Sequence, residues 1–494
     1  MKLSNLLNTV DYISVSGTLD KDIKKLVYHS DKVTENSLFF AVSGDKTDGK
    51  AYVHEAVQKG ASAIVFSGHL PDTEGNITLI EVEDVRTAMA CMAAEFYENP
   101  SEKLLTIGVT GTKGKTTTTF MIHQILNDAG IKSGLIGTVT NGFSGHMEPA
   151  HHTTPESPDI QQLLDAMVKG GCKAVVMEVS SQGIKQKRVK KTDFDIGVFT
   201  NISPDHIGPG EHKDYEEYLS CKSKLFRLCK RAVINIDQRE WPQIIAGSDL
   251  EKIVFFGKHE EADFCIGNKL LQNKAGSLST EYTLYSKEPC GDGEKHLITV
   301  NMPGEFNIYN ATAAIAVTKS LGIPWSSIEA TLKNISVRGR TEIVPYCDEF
   351  TVMVDYAHNG MAAENLLKNL KEYNPARIIT VFGCGGNRDR NRRFEMAEAV
   401  SNYADYIIIT SDNPRFEEEE QIEADIQSHI GGSAKVIRVS DRRRAIEHAL
   451  HEGKKDDIII VMGKGHENYQ IIGNNIYHFD DREEILKVKE RDRL

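Results

Sequence analysis

From Lys103 onward, short apolar runs rich in β-branched residues alternate with longer stretches whose apolar positions recur at helical spacing. "LLTIGVTG", "AVVMEVSS", "FDIGVFTN", "AVINID" and "KIVFFG" are too short for buried helices, so each predicts a buried strand. Strands separated by helical stretches predict βαβ units and a parallel sheet. Between about Ala262 and Val300 the pattern changes to alternating strands around the Gly-rich "CGDGEK", which predicts an antiparallel addition. A helical stretch and "VRGRTE" follow, then a second α/β alternation: "FTVMVDYAHN", "RIITVFGCGGN", "YIIITSDNPR", "KVIRVSD" and "IIIVMGKGHE". Residues 1 to about 100 carry strand-like "SLFFAV" and "ASAIVFS" around a helical "YVHEAVQKGA", and end in the polar "YENPSEK", which reads as a linker. The expectation is an α/β protein of three domains, 1–100, 101–336 and 337–494.

The length of 494 residues suits about three cores, and 40% hydrophobic with 26% charged residues is ordinary for a globular chain. A formal net charge of -13 argues against nucleic acid as a partner, while leaving room for a nucleotide in a local pocket. No stretch approaches the roughly 18 apolar residues of a membrane span, and the N-terminus lacks a leader pattern, so a cytoplasmic protein with no membrane partner is expected. The eight cysteines form no C-x-x-C pair, which favours reduced thiols over zinc or disulfides.

The chemistry begins at "LLTIGVTGTKGKTTTTF", a strand, a glycine loop and a helix. In such loops backbone N–H groups and the helix N-terminus face an anion, a lysine reaches the terminal phosphates and the next hydroxyl can ligate Mg²⁺. Those roles fall to Thr110, Gly111, Thr112, Lys113, Gly114, Lys115, Thr116 and Thr117, with Val109 where the first glycine of the usual spacing would stand. A bare turn would need no lysine beside its last glycine.

Strand ends are where ligands bind in doubly wound sheets. Glu178 ends "AVVME" and is suited to a metal, although a lone strand-end carboxylate is as often merely solvated. "TNISPDHIGPGEH" offers Asn201, Asp205, His206 and His212; two histidines are too few for zinc, and His206 is a candidate ligand for a second Mg²⁺. Arg340 in "VRGRTE" is suited to developing phosphoryl charge or to an interdomain ion pair. Asn307 and Asn310 share a helical face and present donor and acceptor together, as a purine edge requires and as buried caps also do.

Taken in order, "GVTGTKGKTTT", "TTPE", "MEVSS", "TNISPDH", "FNIYNATAA", "GRTE", "DYAHN", "GCGGNRDR", "SDNPR" and "GKGHENYQ" resemble the Mur ligases over nearly the whole chain, above all the branch that adds the third residue of the peptidoglycan stem peptide. The resemblance implies an N-terminal UDP-binding domain, a central P-loop ATPase domain with a parallel sheet, and a C-terminal Rossmann-like domain for the incoming amino acid. It implies an ADP-forming ligase: ATP phosphorylates the terminal carboxyl of UDP-MurNAc-L-Ala-D-Glu, and an amine attacks the acyl phosphate. The small-molecule partners would be that dipeptide and a diamino acid, the cofactors ATP and Mg²⁺, and the assembly a monomer.

Carried over by position, Lys115 and Thr116 hold phosphates and Mg²⁺, Glu178 the first metal and His206 the second. Asn307, Asn310, Arg340, Asp355 and His358 would serve ATP, and Ser30, Thr153, Thr154, Ser180 and Arg188 the UDP-muramyl substrate. Lys222, rather than Lys224, aligns with a lysine that the family carbamylates into a metal ligand. Arg415, helped by Arg388, would grip the second carboxylate of meso-diaminopimelate, with Asp412, Asn413, Gly463 and Glu467 around its ammonium groups; lysine offers no such carboxylate. Alternatively Arg415 pairs with the acidic run Glu417 to Glu420. The chain departs from the pattern at His29 and Asp31 beside Ser30, at Lys50, Gln182 and Asn387, in the missing proline of "DYAHNG" and in a longer "SPDHIGPGEH". The L-lysine-adding enzyme, a folylpolyglutamate-synthase-like or cyanophycin-type amide ligase, and a nucleotide-binding regulator without catalysis are the competing readings.

Overall fold

The computed structural model describes residues 1–44, 47–70, 76–205, 207–208, 210–274, 276–288 and 293–493. His206 and the tip of the "CGDGEK" turn lie outside the described residues. The chain separates into two compact units, Met1–Ala262 with Ala313–Gly322, and Asp263–Thr312 with Ile323–Leu494. The expected boundary at residue 100 falls inside the first, and that at 336 inside the second.

The first unit holds two sheets. The N-terminal sheet runs Ser14–Ser16, Thr78–Glu81, Ala61–Phe66, Ser37–Phe40, Lys25–Val27, parallel except at its first strand. In the second, Lys252–Gly257, Cys229–Asn235, Phe194–Phe199, Leu105–Thr110, Ala174–Glu178 and Ser133–Ile136 are neighbours in that order and all parallel. The antiparallel Thr140–Phe143 and His146–Pro149 continue it. Because the chain leaves Leu105–Thr110 first on one side and then on the other, the strand order reverses there, and ligands collect outside such a reversal. Each run from "LLTIGVTG" to "KIVFFG" is a strand, as expected. The strand Ser133–Ile136 and the hairpin after it escape sequence reading, being strands of only four residues, the first two interrupted by glycine.

"YENPSEK" is no loose linker. Asn99 takes a left-handed conformation, a 3₁₀ turn follows over Pro100–Lys103, and Pro100 and Ser101 are buried. Three contacts tie the layers on either side of it, and a fourth, from Arg188, shares the Glu156 carboxylate within the second layer. Tyr28 donates to Asp159, Lys187 pairs with Asp84, and Glu156 Oε2 and Oε1 each lie 3.0 Å from a guanidinium nitrogen, one of Arg86 and one of Arg188.

In the second unit, Phe264–Lys274, Ser277–Ser286 and Lys295–Val300 pair antiparallel, as the alternating pattern predicts. A six-stranded sheet follows in the order Glu342–Val344, Thr351–Asp355, Ile458–Met462, Ile378–Phe382, Tyr406–Ile409, Lys435–Arg438, parallel except for the first. Its runs are continuously apolar because both faces are covered: Ile458, Ile460 and Met462 enter one core, Ile459 and Val461 the other. A small hairpin, Tyr469–Ile472 with Asn475–His478, was not expected; its residues are mostly polar or exposed. No helix among the described residues is long and apolar enough to cross a membrane.

Two helices of this unit are joined by a wholly buried ion pair. Arg442, at the start of Arg442–Glu452, reaches Asp481, at the start of Asp481–Asp492, through Nε at 2.7 Å and Nη2 at 2.8 Å, and Nη2 also donates to the Met462 carbonyl at 2.9 Å. Removing one partner strands a buried charge, so Asp481→Ala is expected to cost about 3–5 kcal/mol in urea unfolding. A loss below about 1 kcal/mol, the size of an exposed pair, would show that the buried charge is relieved some other way.

Candidate active site

The strand Leu105–Thr110 ends in the glycine loop, and the helix Lys115–Asp128 begins at its far side with Gly114 left-handed at the N-cap. Gly111 has φ +156°, and a Cβ there would stand 1.9 Å from Thr200 Oγ1, so only glycine fits. The loop is held from the neighbouring strand end: Asn201 accepts the Thr112 N–H on its carbonyl and the Lys113 N–H on Oδ1, both at 2.9 Å, and Thr200 Oγ1 donates to the Lys113 carbonyl at 2.8 Å. The N–H groups of Thr112 and Lys113 are thereby committed. What faces an anion is the helix's first turn from Lys115, whose N–H groups have no intrahelical acceptor. Asn201 is the residue that sequence reading underrated; its signal was a polar side chain directly after an apolar strand.

Glu178 registers beside Val109 on the adjoining strand and is 1% exposed. Its Oε2 accepts the hydroxyls of Thr116 at 3.0 Å and Thr138 at 3.1 Å, and Oε1 accepts the Thr138 N–H at 2.7 Å. Thr138 went unnoticed because the strand before it did. A buried carboxylate and a hydroxyl at hydrogen-bond distance are hard oxygen donors, which suit Mg²⁺ with the remainder of its shell from water and phosphate. Among the described residues no three His, Cys, Asp or Glu converge as a ready-made metal cage.

The structure separates Lys222 from Lys224. Lys222 is 1% exposed, with Nζ 2.8 Å from the Gly111 carbonyl and 4.4 Å from the Tyr218 ring centre, whereas Lys224 is exposed. Burial, then the nearby Lys115 charge, holds the Lys222 amine well below the usual lysine range. Lys115 Nζ itself donates to the Gly111 and Thr112 carbonyls at 2.8 and 3.1 Å. His212 is buried and bonded to Ser181 Oγ at 2.9 Å, the usual state of a core histidine.

Thr153, Thr154, Ser180 and Arg188 come together at the same strand end. Thr154 Oγ1 donates to the Glu178 carbonyl at 2.9 Å and accepts the Ser180 N–H at 3.0 Å, Arg188 Nη1 donates to the Thr154 carbonyl at 2.7 Å, and the hydroxyls of Thr153 and Thr138 are 3.0 Å apart. Ser30 sits in a 3₁₀ turn of the N-terminal layer and donates to Glu55 at 2.7 Å.

In the second unit Asn307 and Asn310 are buried and turned on each other: Asn310 Nδ2 donates to Asn307 Oδ1 at 3.1 Å, and Asn307 Nδ2 to the Pro303 carbonyl at 2.8 Å. These amides brace the helix start rather than stand open. Asp355 accepts the N–H groups of Thr341 at 2.6 Å and Ala357 at 2.7 Å, and Arg340 lies over the Tyr356 ring at 4.6 Å. Burial raises the Asp355 carboxyl above the usual range, and Arg340 opposes that. His358 is exposed, 2.8 Å from the Tyr356 carbonyl.

Arg388, Asp412, Asn413, Arg415, Gly463 and Glu467 follow the ends of three strands, Ile378–Phe382, Tyr406–Ile409 and Ile458–Met462, which adjoin in the sheet. Arg415 has φ +54° and anchors Nη1 on the Gly386 carbonyl at 2.9 Å, while its backbone is clasped by Ile471 and Gly473. A Cβ at Gly385 would come within 2.8 Å of that Nη1, so glycine keeps its place open. Of the acidic run, Glu417 pairs with Arg393 at 2.7 Å rather than with Arg415. Asn413 differs from expectation. Its Oδ1 already accepts two protein donors, Ile471 N–H at 2.9 Å and Lys464 Nζ at 3.2 Å, and its Nδ2 donates to Glu467 Oε2 at 3.0 Å. Both acceptor lone pairs are filled, so Asn413 meets a ligand as a donor and not as an acceptor for ammonium. Asn387, an aspartate in the pattern, adopts φ +54° and accepts the Phe416 N–H at 3.1 Å, a turn role natural to asparagine.

Comparison with known proteins gives three domain matches in sequence order: the Mur ligase family catalytic domain over residues 22–97, the Mur ligase middle domain over 109–318, and the Mur ligase glutamate ligase domain over 339–465. A UDP-N-acetylmuramoyl-L-alanyl-D-glutamate–2,6-diaminopimelate ligase of Caldanaerobacter subterraneus subsp. tengcongensis is 42% identical over 490 residues, 99% of each chain. One of Clostridium acetobutylicum is 41% identical over 494 residues, covering 99% of this chain and 100% of its own. A solved structure of an enzyme of the same name superposes with a TM-score of 0.71 at 28% identity, covering 100% of this chain and 99% of that one.

The GKGHE segment supplies an acid-sensitive element. Burial, then Arg340, pushes the half-buried His466 down to about 3 from 6.5. Between those values the unfolded chain binds a proton that the folded one refuses, so stability is complete above pH 6.5 and falls as pH drops toward 3, by up to about 1.4 kcal/mol per unit. His466→Gln is expected to flatten that slope in urea titrations between pH 6.5 and 4. Equal slopes in both proteins would remove His466 from the account.

Proposed function

The chain belongs to the Mur ligase family, and from that premise we propose that it is the ATP-dependent, ADP-forming ligase that adds meso-diaminopimelate to UDP-MurNAc-L-Ala-D-Glu in peptidoglycan synthesis. The observation that carries this reading is identity above 40% along the full length of two enzymes bearing that name. A carboxylate is a poor electrophile because hydroxide leaves badly; phosphorylation turns it into an acyl phosphate, from which phosphate leaves readily when the amine attacks.

Lys115 and the first turn of its helix are the groups for the ATP phosphates, while Asn201 holds the loop in shape. Thr116 and Glu178 would hold Mg²⁺, which when bound offsets phosphate charge. Thr153, Thr154, Ser180 and Arg188 orient the muramyl dipeptide beside them. Arg415 keeps Nε and Nη2 for the distal carboxylate of diaminopimelate, since Nη1 is anchored on the loop. Lys222 is proposed as a carbamate: its deprotonated amine adds CO₂ and releases one proton, becoming an anion that suits a metal. The reading places the work in the cytoplasm, on small-molecule substrates, by a monomer.

Phosphate release from ATP with the UDP-dipeptide and a panel of amino acids tests the assignment. Meso-diaminopimelate is expected to be used far better than L-lysine, and Arg415→Ala to lower its kcat/KM on the order of tenfold to a hundredfold. Equal use of lysine makes the chain a lysine-adding enzyme, and an unaffected Arg415→Ala removes the arginine from recognition. Lys222→Ala is expected to be nearly inactive and partly restored by short carboxylic acids, which supply the missing anion. Full activity without them rules out the carbamate.

A further inference from the structure

Beneath the amino-acid cluster lies a cation that the strand-end motifs do not single out. Lys464 is 0% exposed, and its Nζ lies 3.1 Å from Asp412 Oδ1, 3.2 Å from Asn413 Oδ1 and 2.8 Å from the Tyr469 carbonyl. The Asp412 contact is an ion pair without hydrogen-bond alignment, so the ammonium is directed at the amide and the carbonyl while its charge serves the carboxylate.

Two consequences follow from these distances. A flipped Asn413 amide would set its NH₂ against both the Lys464 ammonium and the Ile471 N–H, donors against a donor, so Lys464 fixes which way Asn413 points. The charges of Asp412, Lys464 and Arg415 all bear on Glu467, so removing Lys464 takes one positive charge from around it. Positive charge in the cluster favours a ligand with two carboxylates over one with a single carboxylate. L-Lysine, with one carboxylate fewer, brings a net positive charge into it.

We propose that Lys464 is a positioning and specificity-determining residue for the diamino acid, orienting the Asn413 amide and supplying the fixed positive charge that disfavours a substrate lacking the second carboxylate. The inference rests on the amino-acid assignment above. It concerns a residue that acts through Asp412 and Asn413 rather than on the reacting atoms.

Steady-state kinetics of the full chain with meso-diaminopimelate and L-lysine test it. Lys464→Gln removes one positive charge from the cluster, so its ratio of kcat/KM for diaminopimelate over lysine is expected to fall on the order of tenfold. KM for diaminopimelate should rise while KM for ATP and for the UDP-dipeptide stay put. Lys464→Arg, keeping the charge, should retain more of the ratio than the glutamine variant. If Lys464→Gln loses its cooperative thermal melt, Asp412→Asn takes its place with the opposite sign: the cluster loses one negative charge and the ratio should rise. An unchanged ratio in the folded variant, or equal loss with Arg and Gln, overturns the proposal. Wild-type enzyme that ignores diaminopimelate would instead overturn the functional assignment itself.

Discussion

One backbone oxygen organises the P-loop side of this protein. The Gly111 carbonyl accepts Lys115 Nζ and Lys222 Nζ, each at 2.8 Å, so two amines meet at a single acceptor. Two full charges so close would repel strongly in a buried setting, and the one without solvent, Lys222, is the one whose charged form is disfavoured. The arrangement requires that oxygen to stay where it is, and it does because Gly111 packs on Thr200 with no side chain between and because Asn201 clasps the next two residues. Loop shape, lysine protonation and the position of Thr116 against Glu178 are therefore a single constraint.

The elements that sequence reading recovers are those whose signal is local. Continuous apolar runs marked the central parallel strands, because burial on both faces leaves no polar position to blur the pattern, while the half-exposed edge strand Lys435–Arg438 was legible from its β-branched residues. Glu178 and the glycine loop were legible as strand-end chemistry. What stayed hidden depends on which strand lies beside which. Thr138 serves Glu178 because the strand before it adjoins Ala174–Glu178, and Asn201 serves the loop because the strand before it adjoins Leu105–Thr110; sequence spacing does not encode that order. The orientation of Asn413 was beyond reach for the same reason: its two donors come from Lys464 and from a short polar hairpin with little hydrophobic signature.

Charge reads differently at the two scales. The formal net charge of -13 describes the surface, yet Arg393, Arg442, Lys222 and Lys464 are almost wholly buried. Arg393 and Arg442 lie in carboxylate pairs that hold helices and loops in place. Both lysines reach backbone carbonyls at loops proposed to bind substrate, Lys464 beside the Asp412 carboxylate as well. Guanidinium groups, with their fixed fork, suit the first task.

Glu156 gives the layers of the first unit a shared component. Its carboxylate stands between Arg86, from the N-terminal layer, and Arg188, from the P-loop layer, so neither guanidinium owns it. Modular inheritance is usually pictured as the exchange of whole domains at a linker. Here a recombination event at residue 100 that imported a foreign first segment without an arginine matching Arg86 would leave Glu156 with half its partners and Arg188 with a changed neighbour. A first segment grafted at residue 100 would therefore keep this contact only if it brought an arginine matching Arg86.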